Sequence, residues 1–139
     1  MSLVFFTDRD LGKRFPEILR AAGLYVERHD DLFPESCPDE VWLQHVGSHG
    51  RIAITHDSRI RYKPNELAAV LRHRVALLVV SGKASYPKLA EEFVATMPRI
   101  VTFLSGRQPP FIARVKRPTP GESKRCPGAP GTVSLWYPR

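Results

Sequence analysis

Cysteine is scarce in this chain. Its two residues, Cys37 and Cys126, lie 89 positions apart. They form neither a disulfide framework nor a metal-binding pair, and they suit a reducing cytoplasm. Long apolar runs are missing as well. The longest, Val75 to Val80, has six residues, whereas a membrane-spanning helix needs about 20. The first residues, Met-Ser-Leu-Val-Phe-Phe, carry no basic region and soon meet Asp8, so no secretory signal is expected. No internal repeat is visible. Acids are outnumbered, 14 against 21 Lys plus Arg, for a net charge of +7. The excess is uneven: residues 114–139 hold six bases and one acid. Such an end suits a polyanion such as nucleic acid, or is simply solvated.

What is present describes one globular domain. The chain has 139 residues, 42% apolar and 25% charged. A domain of that size buries roughly two-thirds of its unfolded surface and needs no covalent staples. Leu3 to Thr7, Leu24 to Val26, Arg51 to Thr55, Val75 to Val80 and Phe111 to Val115 read as strands, mostly of the buried type. Between them, Phe15, Ile18, Leu19 and Ala22 mark one helix face. Pro38, Pro64 and Pro87 open further helices. Gly50 is expected to end the second helix, the glycines at 47 and 50 speak against a helix continuing from His45 to His49, and Pro98 predicts a change of direction in the last one. Alternating strands and helices predict an α/β fold with a mainly parallel sheet. Residues 118–131 hold four prolines and three glycines, so 118–139 is expected to be an extension to a domain of residues 1–117. Thr132 to Trp136 would dock on the body or add an edge strand.

In an open parallel sheet, sites form beyond the carboxyl ends of the strands. Asp8 follows the first strand and Asp57 the third. Asp39 and Glu66 open the helices on either side of the third strand. All four acids are therefore expected on one rim. Each also has a local explanation: Asp8 as a cap, Asp39 in a capping box with Ser36, Asp57 in a turn, Glu66 on a helix dipole. Together they are harder to dismiss. Two carboxylates ~5 Å apart repel by roughly 3 kcal/mol at an effective dielectric of 20. A set of three or four needs protons or a cation, and oxygen-only ligands select Mg2+ or Mn2+. Arg59, Arg61 and Lys63, in the loop between Asp57 and Glu66, would position phosphates, with Tyr62 among them available to a base. The histidines show no zinc spacing, and Trp42 reads as core.

Several short motifs carry a family resemblance. They are Phe6-Thr7-Asp8-Arg9-Asp10-Leu11-Gly12, Phe33-Pro34-Glu35, Pro38-Asp39-Glu40-Val41-Trp42-Leu43, Ile54-Thr55-His56-Asp57-Ser58-Arg59-Ile60-Arg61 with Pro64 and Glu66, and Pro110-Phe111-Ile112-Ala113-Arg114-Val115. In this order the chain resembles the PIN-like group related to VapC toxins over about residues 4–117. The resemblance implies a three-layer α/β/α sandwich with a short parallel sheet, and a metal-dependent ribonuclease using Mg2+ or Mn2+. It implies Asp8, Asp39 and Asp57 as metal ligands, Glu66 as a fourth acid, and Thr55 as a hydroxyl orienting a carboxylate or water. It also implies an RNA substrate, an antitoxin partner if the chain is a toxin, and a homodimer. The stretch after Asp57, Ser58-Arg59, lacks the further acid of some relatives. Two other classes are weighed. One is a catalytically weak PIN-like module that binds RNA or a partner. The other is a receiver-like domain using Asp8, Asp10, Asp57, Ser81 and Lys116.

Overall fold

A computed structural model describes residues 3–138, apart from the side chain of Arg61. Six strands form one sheet in the order β2-β1-β3-β4-β5-β6. The strands are β1 (Val4–Thr7), β2 (Tyr25–Arg28), β3 (Ile52–Thr55), β4 (Ala76–Val80), β5 (Phe111–Lys116) and β6 (Thr132–Tyr137). The first five are parallel and β6 runs antiparallel to β5. The helices are α1 (Arg14–Ala21), α2 (His29–Leu32), α3 (Asp39–Ser48), α4 (Pro64–Arg72), α5 (Tyr86–Ser105) and α6 (Pro120–Arg125). The α/β class and the mainly parallel sheet predicted from the sequence are present, and helices on both faces make it a three-layer sandwich.

Strand alternation divides the core in two. Phe5, Ile52, Ile54, Leu78 and Val80 face α1 and α5, where Phe15, Leu19, Leu89 and Phe93 meet them. Phe6, Ala53, Leu77 and Val79 face α3 and α4, against Trp42, Leu43, Val46, Ala69 and Val70. Each such Leu or Phe, fully buried, contributes roughly 2 kcal/mol or more. The steps β3 to β4 and β4 to β5 go the same way across the sheet. Their helices lie on opposite faces, so the β4–α5–β5 crossover has the opposite hand to the other three, against the usual uniformity. With α5 on the α1 face, the opposite face of β5 and β6 is covered by side chains, among them Trp136 and Arg114, whose guanidinium lies 4.2 Å from the Trp136 ring centroid.

Four local expectations need correction. α3 runs through Gly47 to Ser48. Gly47 is there because a Cβ would come within 1.9 Å of the His73 carbonyl oxygen at the end of α4. α5 is continuous across Pro98, since tertiary packing of Phe93, Thr96 and Ile100 on both sides outweighs one missing N–H. Asp39 makes no box with Ser36: Pro38 is the cap residue, and the Asp39 carboxylate accepts from Trp42 Nε1 at 2.9 Å instead.

The fourth concerns residues 118–131, which hold a helix where none was expected, whereas Thr132–Tyr137 is the edge strand that the sequence allowed. Thr119 and Glu122 form a capping box that starts α6, and β6 completes the sheet. α5 holds this segment. Glu92 pairs with Arg117 at 2.6 Å, Gly131 N donates to Thr96 Oγ1 at 2.9 Å, and Arg99 donates to the Gly131 carbonyl at 2.6 Å. A Cβ on Gly131 would lie 1.7 Å from the Lys116 carbonyl oxygen. Gly131→Ala is therefore expected to cost on the order of 2 kcal/mol and to lower the melting temperature by roughly 5 °C. Thermal denaturation followed by circular dichroism checks this; an unchanged midpoint would mean that the segment is seated elsewhere.

Candidate acidic site at the strand-order reversal

The strand order turns back at β1: β2 lies on one side of it and β3 on the other. The carboxyl ends of β1 and β3 therefore frame the crevice where doubly wound folds place their ligands. Asp8 follows β1, and its N–H donates to the Ile54 carbonyl at 2.9 Å, which extends the β1–β3 contact to the crevice. A short 3-10 turn, Arg9–Leu11, leaves Asp8 in extended conformation as its cap, with Asp8 Oδ1 accepting the Arg9 N–H at 2.7 Å. The turn returns Asp10 to the same spot.

Thr55, at the end of β3, is fully buried and joins the two acids. Its Oγ1 lies 2.9 Å from Asp8 Oδ2 and 3.0 Å from Asp10 Oδ2. It also accepts the Asp57 N–H at 3.2 Å. A hydroxyl has one proton to donate, so it satisfies one carboxylate at a time. Asp10 gains a second donor, the His56 N–H, at 3.1 Å. Burial, with Asp10 beside it, pushes the Asp8 carboxyl up to about 7. Burial also raises Asp10, against the pull of Thr55 and the His56 N–H. Arg9, between them in sequence, offers its guanidinium elsewhere, to the Phe33 carbonyl at 3.0 Å and to Asp30 at 3.1 Å. One proton on Asp8 completes the set: Asp8 donates to Thr55, and Thr55 to Asp10.

Of the other expected residues, Asp39 acts on this pair by its charge and Asp57 through its backbone. Asp39 is close enough for its charge to raise Asp8 further. It also lines a cleft of about 400 Å³ between α3 and α4, together with Glu40, Asn65, Glu66 and Arg72. The Asp57 backbone belongs to the cluster through Thr55, but its carboxylate is engaged by Lys63 Nζ at 2.5 Å and by the Arg59 N–H at 3.0 Å. Burial pushes Asp57 up, yet these donors hold it below the usual carboxylate range. Arg59 is 80% exposed. The side chain of Arg61 lies outside the described part of the structure. His56 donates from Nδ1 to the Val80 carbonyl at 2.7 Å, a bond that fixes its tautomer and turns the ring toward β4.

Asp8, Asp39 and Asp57 are thus not drawn into one ligand cage. Among the described residues, no three His, Cys, Asp or Glu side chains are grouped to hold an ion. Lys63 engages Asp57, and Trp42 engages Asp39. The sequence reading gave Asp10 a part only in the receiver-like alternative. Its signal was the Asp-x-Asp spacing on a turn right after a strand, which returns two carboxylates to one point.

Parallel strands with carboxylates and a buried hydroxyl at the reversal define an α/β protein with an acidic crevice. The strand order alone fits a receiver-like domain equally well. A family model described as a PIN like domain matches residues 3–82, and the chain belongs to the PIN-like domain family. The match ends just after β4, so α5, β5, α6 and β6 lie beyond it. No curated protein and no solved structure matches the chain. The family is one of nuclease-type folds. No helix among the described residues is long and apolar enough to cross a membrane.

Proposed function

We propose that the chain is a divalent-metal-dependent ribonuclease that hydrolyses RNA phosphodiester bonds at the Asp8–Asp10–Thr55 cluster. One observation carries this reading: at the strand-order reversal two carboxylates lie within hydrogen-bond distance of one hydroxyl that has a single proton to give, and burial pushes the Asp8 carboxyl up to about 7. That is a surplus of negative charge a hard cation would neutralise. The donor set fits Mg2+ or Mn2+ in chemistry, since it is oxygen only, and Asp8 and Asp10 are the residues that would hold the ion. Such an ion, when bound, lowers the pKa of a water and stabilises charge on phosphorus.

The chain's own groups do the rest. Thr55 sits between the two carboxylates and steadies one of them at a time with its single hydroxyl proton. The His56 N–H holds Asp10 in place. Asp39 and Glu66, at the cleft beside the pair, would orient the attacking water. Arg59 and Lys63 would meet the phosphates flanking the cut, with Lys63 shared between Asp57 and the substrate. A toxin role with an antitoxin partner, a homodimer and a cytoplasmic location rest on the family resemblance and the scarcity of cysteine. A receiver-like domain would give no part to Thr55. A second reading, a PIN-like module that binds RNA without cutting it, is favoured by the ion pair between Asp57 and Lys63, which holds that carboxylate off the cluster.

The test is incubation of the purified protein with single-stranded RNA, with and without Mn2+, beside Asp10→Asn. Cleavage is expected only with the ion, and to fall at least about a hundredfold in the variant. Cutting indifferent to both would be a contaminant's. Metal-independent binding with no cutting would support the second reading.

A further inference from the structure

The C-terminal strand lies outside the matched segment, yet it reaches the loop that carries Asp57 and Lys63. Trp136 on β6 is nearly buried, 6% exposed. The ring of Tyr62 meets it edge-on, with centroids 6.0 Å apart and planes at 85°. Tyr62 itself is 68% exposed. An aromatic ring so open to water is usually free to swing. Here the Trp136 ring sets its edge, and the 3-10 turn Ile60–Tyr62 sets its backbone, with Ile60 buried as the anchor of that turn. The exposed ring is flanked in sequence by Lys63 and, three residues back, by Arg59. A largely exposed ring held at its edge, with cations next to it in the chain, is an arrangement suited to a stacked base beside its phosphates.

We infer that Tyr62 is a stacking platform for an unpaired nucleobase of the RNA strand, and that β6, through Trp136, sets the platform in place. This rests on the proposed ribonuclease reading and deepens it. The C-terminal segment becomes part of substrate binding, and the site prefers single strands, because a base inside a duplex has no free face to offer. Stacking is tolerant of sequence but stronger for purines, so an adenine tract is held better than a uracil tract.

The experiment is fluorescence anisotropy with end-labelled ten-nucleotide oligoadenylate, oligouridylate and a blunt RNA duplex, in EDTA. Tyr62→Ala is expected to weaken single-strand binding about tenfold, more for adenine than for uracil. It should leave duplex binding and the slope of log K against log salt unchanged, and Tyr62→Phe should bind like the wild type. Arg59→Ser should instead reduce that slope by about one. Trp136→Leu, its fold checked by circular dichroism, should reproduce the Tyr62→Ala loss. The platform is overturned if Tyr62→Ala binds single strands like the wild type, if it weakens single strand and duplex alike, or if the wild type binds no single strand in EDTA. A Trp136→Leu protein that binds like the wild type overturns the role of β6. Nothing is cut without the ion, so these outcomes are separate from the cleavage test with Asp10→Asn.

Discussion

Asp8→Asn is expected to do two opposite things: abolish ion-dependent RNA cleavage and stabilise the ion-free protein. The first follows from the loss of half of the carboxylate pair, which should cost at least about a hundredfold in rate. The second follows from the state of the pair without an ion. Asp8 is pushed up to about 7 because its charged form is buried beside Asp10. An amide is never charged, and its NH2 can donate to Thr55 while the Thr55 hydroxyl turns to Asp10. At pH 8 the variant should melt several degrees above the wild type, and at pH 4 the two should converge. A variant that is less stable at pH 8, with activity intact, would remove Asp8 from the site.

The second large effect is the pH dependence of the ion-free protein. Asp8 has a folded-state pKa of about 7 against 3.8 for the free group. Below 3.8 both states hold the proton and the stabilisation is fully present. Between these values the folded state keeps a proton that the unfolded state has released, so stability falls as pH rises. Above about 7 the loss is complete, at most about 4 kcal/mol. Asp57 and Glu27 work the other way, because their ion pairs hold both carboxyls low and weaken only in acid. Subtracting the Asp8→Asn curve isolates the Asp8 contribution. Saturating Mn2+ should reverse the trend: at a hundred times its dissociation constant it adds about 2.7 kcal/mol, and near pH 8 it should raise the melting temperature by several degrees. Denaturation midpoints across pH 4 to 8, with Mn2+ or EDTA, measure both. A flat difference curve would mean that Asp8 is ionised throughout.

The sequence carried the layers of this fold well. Buried strands such as Ile52–Thr55 and Ala76–Val80 are short apolar runs that no amphipathic helix of this chain imitates. The rim was legible because helices that follow parallel strands begin at the edge where those strands end. What the sequence concealed was pairing across space. Asp57 carries the most telling part of the family motif, yet its carboxylate goes to Lys63, six residues on, and nothing in one dimension ranks that contact above a shared ion. Asp10 was hidden because only the 3-10 turn brings it back to Asp8. Residues 118–131 misled for a compositional reason, whereas the edge strand after them was expected. Proline and glycine mark an extended chain, but here Pro120 opens a capped helix and Gly131 sits where only a hydrogen fits against the Lys116 carbonyl.

Gly47 has an effect far from where it lies. α3 and α4 run side by side and nearly touch where Gly47 meets the His73 carbonyl, and the same two helices line the cleft holding Asp39 and Glu66. Asp39 is about 12 Å up the helix from Gly47. A side chain at position 47 would have to part the two helices to fit, and with them the two carboxylates that their first turns carry.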